Sequence, residues 1–236
     1  MSTIVKQFVT VPVSDGTSMQ AYVARPDNAE KVPGILVFQE AFGVNAHMRD
    51  VTERIAAEGY AAIAPELFHR TAAPGFEGSY TDFESVMPHI KAMTPEGTKA
   101  DIRAAYEQLC SLDNVLTGQI ASIGFCMGGR ISFVASTLLP LKSAACFYGS
   151  GIDAMQEDYP RVSCPLLLCW GGQDKHITKD KIAAVTDGLT AQQKDYVNVV
   201  YSQADHAFFC DARAAYHPRS AAEAWALVKA FWKANW

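Results

Sequence analysis

The sequence predicts an α/β fold: a mostly parallel central sheet with helices on both faces and an N-terminal β-hairpin. Two observations predict it. Short apolar runs of strand length alternate with amphipathic runs of helical length along most of the 236 residues. Several of the strand runs are also continuously apolar, as strands buried on both faces must be.

The elements follow in order. Val5 to Val13 and Met19 to Ala24 are β-rich runs around Ser14-Asp15-Gly16-Thr17 and read as a hairpin. Gly34 to Phe38 is a buried strand. His47 to Glu58 has helical spacing, with Val51, Ile55 and Ala56 on one side, and Gly59 stops it. Tyr60 to Ala64 is the next strand, ended by Pro65. Glu66 to Thr98 carries three prolines, three glycines and the aromatics Phe68, Phe76, Tyr80 and Phe83. It is too long for a plain connection and is expected to hold short helices, either as a lid or pocket wall or as a surface excursion. Asp101 to Leu112 reads as helix, Gln119 to Phe125 as strand and Met127 to Leu139 as helix. Ser143 to Tyr148 and Pro165 to Trp170 are strands. Thr178 to Gln192 is helix, Tyr196 to Tyr201 strand and Pro218 to Trp236 the final helix. With no repeat, linker or low-complexity tract, residues 1–236 are expected to form one domain.

Composition narrows the function. Hydrophobic residues make up 49% and charged residues 19%, a globular balance, and the net charge is −5. No Lys/Arg cluster suits phosphate contacts, so no nucleic-acid partner is expected. The start, Met1 to Lys6, lacks a basic region followed by a long apolar stretch, and no run approaches a membrane span. A cytoplasmic protein without a membrane partner is the expectation, with monomer as the default. Cys110, Cys126, Cys146, Cys164, Cys169 and Cys210 show no Cys-x-x-Cys pair, so no metal is expected. Reduced buried thiols account for all but one of them.

That one is Cys126. Gly124-Phe125-Cys126-Met127-Gly128 fits G-x-nucleophile-x-G, directly after a predicted strand and opening a helix. This is the elbow of the α/β-hydrolase fold. Its glycines relieve crowding of the backbone, and the helix that follows turns its positive end toward the nucleophile. Away from that context such a cysteine would be a small core residue. In this fold the partners follow in the order nucleophile, acid, histidine. Asp174 ends the loop after Pro165 to Trp170, with a turn residue as the bland alternative and Asp180 as the rival acid. His206 follows the last strand, where a general base belongs. His47, His69 and His89 precede the elbow, His176 adjoins the acid and His217 starts the last helix, so each is read as solvated or capping. The oxyanion donors expected are the backbone N–H groups of Met127 and Ala41.

These residues resemble the dienelactone hydrolase family (carboxymethylenebutenolidases) over nearly the whole chain. The resemblance rests on Gln39-Glu40-Ala41-Phe42-Gly43-Val44-Asn45, on Gly124 to Gly129, on Trp170-Gly171-Gly172-Gln173-Asp174, and on His206-Ala207-Phe208-Phe209. It implies a cofactor-free hydrolase of esters or lactones acting through a thioester on Cys126, with Glu40 as a fourth site residue that pairs with the resting thiol. Glu40 could also merely tie down its loop. Family members that cleave dienelactone hold the substrate carboxylate with two arginines. Cys210 stands at one of those positions, Arg70 is the only arginine of the segment that would supply the other, and Arg213 is a distant substitute. An unpaired anion would be costly, so an altered preference is expected. Phe42, Tyr148, Phe208 and Phe209 suggest an apolar or aromatic ester or lactone, although core packing explains them equally well. The alternative reading is a thiol sensor or ligand-binding protein that keeps the fold without turnover.

Overall fold

The computed structural model describes residues 3–27 and 30–236. Met1 and Ser2, the start of the segment read for a leader, lie outside the described residues. No helix among the described residues is long and apolar enough to cross a membrane. The chain divides into two compact units, residues 1–121 and 122–236.

In the first unit β1 (Ile4–Pro12) and β2 (Ser18–Pro26) form the antiparallel hairpin, in register from Ile4↔Pro26 to Pro12↔Ser18. Its turn is set by Gly16 at φ 87° and by Asp15, whose carboxylate accepts from the Thr17 amide at 3.0 Å. β2 pairs antiparallel with β4 (Ala61–Pro65), which pairs parallel with β3 (Val32–Phe38). Every residue of β4, and all of β3 but Pro33, is buried. Each such Leu, Ile or Val contributes about 1.5–3 kcal/mol. α1 (Ala46–Ala57) starts at Asn45, whose side chain accepts from the Met48 amide, and packs on β2 and β4. α3 (Pro95–Cys110) packs on β3 and β4. Gly34 permits that approach, since a Cβ there would lie 2.9 Å from Leu109 Cδ2.

The segment from Glu66 to Thr98 is well tied down. α2 (Phe83–Ala92) follows the N-cap Asp82. Ala41, Phe42 and Val86 form a buried apolar cluster covered by Phe76, Tyr80 and Ile90. The Glu66 carboxylate accepts from the Gly75 amide at 3.0 Å, and Arg49 reaches Glu77 at 2.6 Å. α3 begins at Pro95 rather than Asp101, because Thr94 caps it and Pro95 suits the first helical position.

β5 (Val115–Phe125) begins in the first unit and ends in the second. There it runs parallel to β6 (Ala144–Phe147), which pairs in turn with β7 (Leu166–Gly171) and β8 (Tyr196–Tyr201). α4 (Met127–Leu138), α5 (Lys179–Ala191) and α6 (Pro218–Asn235) complete the unit. Two short 3₁₀ turns, Ile152–Ala154 and Gln156–Arg161, fill the β6–β7 connection, where the sequence shows no periodic pattern. The elements are those of a mostly parallel α/β-hydrolase sheet with an antiparallel N-terminal hairpin.

Two histidines differ from expectation. His47 is buried, and His69 lies under the surface with Nε2 3.1 Å from Asp101. Neither is solvated. All six cysteines are free thiols, with Cys110 and Cys126 only half-buried.

Candidate active site

β5 delivers Cys126 at its carboxyl end, and α4 starts at the next residue. Cys126 has φ 55° and ψ −117°, a conformation that strains any residue with a Cβ. Its amide donates to the Phe147 carbonyl at 3.0 Å, and its own carbonyl accepts from the Gly129 amide at 3.0 Å. A Cβ on Gly124 would run into the Gly128 carbonyl, and one on Gly129 would lie 2.5 Å from the Phe147 oxygen. The glycines around Cys126 are thus required by close backbone approach. Met127, buried, is the first residue of α4, at the helix's positive end.

Asp174 and His206 lie on the loops after β7 and β8. These loops run backbone to backbone. The Gly172 amide donates to Tyr201 O and the Gln173 amide to Ala204 O, both at 2.8 Å. A Cβ on Gly171 would lie 2.6 Å from the Asp205 carbonyl oxygen, and one on Gly172 would lie 2.7 Å from Ser202 Cα. Only glycines fit, which gives Gly171-Gly172 a physical reason. Across this seam His206 Nδ1 meets Asp174 Oδ2 at 2.6 Å. The other Asp174 oxygen accepts from the His176 amide at 2.7 Å and the Ile177 amide at 3.0 Å. The His206 amide donates to the Asp205 carboxylate at 2.7 Å.

The charges follow from these bonds. Burial raises the Asp174 carboxyl, but the His206 hydrogen bond and charge and the two backbone donors outweigh it and hold the group below its usual range. Burial disfavours a charged His206, yet hydrogen bonds to Asp174 and to Cys126 outweigh burial and push the ring up to about 10. With Nδ1 on Asp174, Nε2 is the nitrogen left for the thiol. The second unit therefore holds Asp174 and His206 in a hydrogen bond, with the Cys126 thiol beside the ring.

Tyr148, Phe208 and Phe209 are buried beside it. Tyr148 lies 5.1 Å from the His206 ring and 5.4 Å from Phe208, centroid to centroid, and Phe209 stacks on Phe125 at 5.1 Å. Glu40, Ala41 and Phe42 belong to the first unit, on the loop after β3, and all three are buried. Gln39 orders that loop: its Oε1 accepts from the Leu67 amide at 3.1 Å and its Nε2 donates to the Glu40 carbonyl at 3.3 Å. Cys210 is fully buried. Arg70 is fully engaged, bound to Asp101 by two hydrogen bonds of 2.8 Å and to Asp15 at 2.7 and 2.9 Å. Sequence reasoning missed the amides of His176 and Ile177 that hold Asp174. The Asp-x-x-Ile spacing of such a turn is too common to have marked them.

A sharp strand-to-helix elbow over parallel strands, followed in chain order by a hydrogen-bonded acid and histidine, defines an α/β-hydrolase. The chain belongs to the dienelactone hydrolase family, whose family model matches residues 19–235. It is 37% identical over 232 residues to a carboxymethylenebutenolidase homologue of Synechocystis sp., covering 94% of this chain and 93% of that one. To a homologue of the same kind from Escherichia coli K12 it is 32% identical over 243 residues, covering 98% and 87%. Among solved structures, a dienelactone hydrolase homologue from Klebsiella pneumoniae superposes with a TM-score of 0.89 at 31% identity, covering 98% and 99%. At the level of the family, the chain is a hydrolase of carboxylic esters or lactones.

Proposed function

We propose that the chain hydrolyses its ester or lactone by nucleophilic catalysis at Cys126. The observation that carries this reading is the Asp174–His206 hydrogen bond beside a cysteine held at φ 55° in the elbow. The sulfur attacks the acyl carbon, the C–O bond of the ester breaks, and a thioester forms. His206 takes the thiol proton as the sulfur attacks and hands it to the departing alkoxide, then takes a proton from the water that attacks the thioester and returns it to the leaving sulfur. That water releases the acid and regenerates the thiol. Asp174 fixes the ring's tautomer and orientation.

The Met127 amide, at the start of α4, is the first oxyanion donor. The part of Ala41 as second donor follows the oxyanion pattern of the fold, and that of Glu40 as partner of the resting thiol is carried over from the family resemblance. Because the family match runs from residue 19 to residue 235, we take both units as one hydrolase domain.

The substrate we propose is uncharged near the acyl carbon and apolar or aromatic. Cys210 offers no cation where family members have an arginine, and Arg70 already carries two carboxylates. Phe42, Tyr148, Phe208 and Phe209 would back the apolar part of the site.

Trapping tests the chemistry. A chromogenic short-chain ester, quenched in acid during turnover, should leave an acyl group on the Cys126 peptide by mass spectrometry. Turnover by Cys126→Ala at the parent rate would overturn the assignment. A matched pair of esters, one neutral and one bearing a carboxylate, tests the preference, with the neutral ester expected to have the higher kcat/KM.

A further inference from the structure

Tyr148 stands at the carboxyl end of β6 with φ 37°, in the left-handed region where a side chain is strained. Three contacts enforce this. Its amide donates to the Cys169 carbonyl at 2.7 Å, and the carbonyl of the preceding Phe147 accepts from the Cys126 amide at 3.0 Å. The following Gly149 is pressed so close to α4 that a Cβ there would lie 2.9 Å from the Gly129 carbonyl carbon and 3.0 Å from the Arg130 amide nitrogen. Tyr148 is therefore clamped between the elbow that carries Cys126 and the strand that leads to Asp174.

Its ring is fully buried and offers no face to solvent. It meets the His206 ring at 5.1 Å with a 58° tilt, and Phe208 at 5.4 Å and Phe125 at 6.3 Å back it. Within the second unit the other groups facing His206 are the Asp174 carboxylate, the Cys126 thiol, the Asp205 carboxylate on its amide and the ring of His176 at 6.1 Å. His176 is exposed. Tyr148 is thus the buried aromatic wall of the imidazole.

We propose that Tyr148 is a positioning residue, whose ring fixes the plane of the His206 imidazole so that one nitrogen stays on Asp174 while the other stays on Cys126. The proposal rests on the cysteine-hydrolase reading above. It follows from the geometry of a side chain held at two ends: the Asp174 bond restrains one nitrogen, and rotation about that bond would carry the other off the sulfur unless a wall blocks it. Misplacement of a reacting group by about 1 Å is enough to cost roughly 100-fold in rate.

The test compares Tyr148→Phe, which keeps the ring, with Tyr148→Leu, which keeps apolar bulk without the plane. Both would be assayed for kcat and KM on a chromogenic short-chain ester, and for the pH profile of Cys126 alkylation by iodoacetamide. Tyr148→Phe should retain kcat within about 3-fold and keep the parent alkylation profile. Tyr148→Leu should lose roughly 30-fold or more in kcat with KM little changed, and its alkylation profile should shift. Parent-like kcat and alkylation in Tyr148→Leu would overturn the proposal, as would equal losses in the Phe and Leu variants. Should Tyr148→Leu fail to fold, Tyr148→Met carries the same comparison. Cys126→Ala in the same assay separates the two claims, because its retention of activity would sink the cysteine reading itself.

Discussion

Gly171 and Asp205 lie so close that a Cβ on the glycine would sit 2.6 Å from the aspartate's carbonyl oxygen. The obstruction is backbone, which cannot swing aside as a side-chain end can. The distance between the acid loop and the histidine loop, and hence the Asp174–His206 bond, depends on this absence of a methyl group. Gly171→Ala should lower stability by about 1–3 kcal/mol and reduce kcat more than it changes KM. Thermal unfolding with steady-state kinetics checks both, and an alanine variant with parent kcat would show that the seam tolerates widening.

Cys126→Ser keeps the elbow and the hydrogen-bonding geometry but exchanges the sulfur for a far less acidic hydroxyl. Activity should fall by about 100-fold or more, with the fold intact by circular dichroism.

Stability should depend on pH through the acid–histidine pair. His206 has its folded value raised from 6.5 to about 10, so its contribution is fully present below about pH 6.5 and is lost as pH rises through about 10. Asp174 has its folded value lowered from 3.8, so its contribution is present above that value and is lost as pH falls through the lower folded one. Melting temperatures of the parent and of Asp174→Asn should therefore differ most between about pH 4 and pH 6.5 and converge toward pH 10. A difference independent of pH would contradict the pairing.

Asp101 is 1% exposed and is held by Arg70 and by His69. Arg70→Ala leaves that carboxylate with one partner fewer, and should destabilise the protein by about 3 kcal/mol in chemical denaturation. Ester turnover by the folded variant should match the parent, because this cluster serves the first unit's packing. A selective loss on carboxylate-bearing esters would instead show that Arg70 reaches substrate.

What was legible in the sequence had a local cause. The elbow announced itself because Gly124 must clear the Gly128 carbonyl within five residues of chain, around Cys126 at φ 55°. The strands β3, β4, β6 and β7 were legible because burial on both faces leaves an unbroken apolar run. The start of α3 was obscured by the proline-rich segment before it, where Thr94 and Pro95 act as cap and first turn without any apolar periodicity. The order within residues 66–98 comes from bonds such as Glu66 to Gly75, which leave no periodic trace. His69 is buried because Asp101 waits 32 residues further on. Nothing in the sequence marks Tyr148 as left-handed, since its φ is imposed by Cys169, Gly129 and Arg130 together.

Cys126, Tyr148 and Ala207, at φ 55°, 37° and 65°, carry side chains where glycine would sit more easily. Each belongs to the neighbourhood of His206. A mutant library screened for heat resistance alone is therefore expected to enrich glycine at Cys126, where little buried volume would be lost, but not at Tyr148, whose fully buried ring outweighs the relief of strain. On the cysteine-hydrolase reading, a screen that also demands turnover should keep the cysteine at position 126.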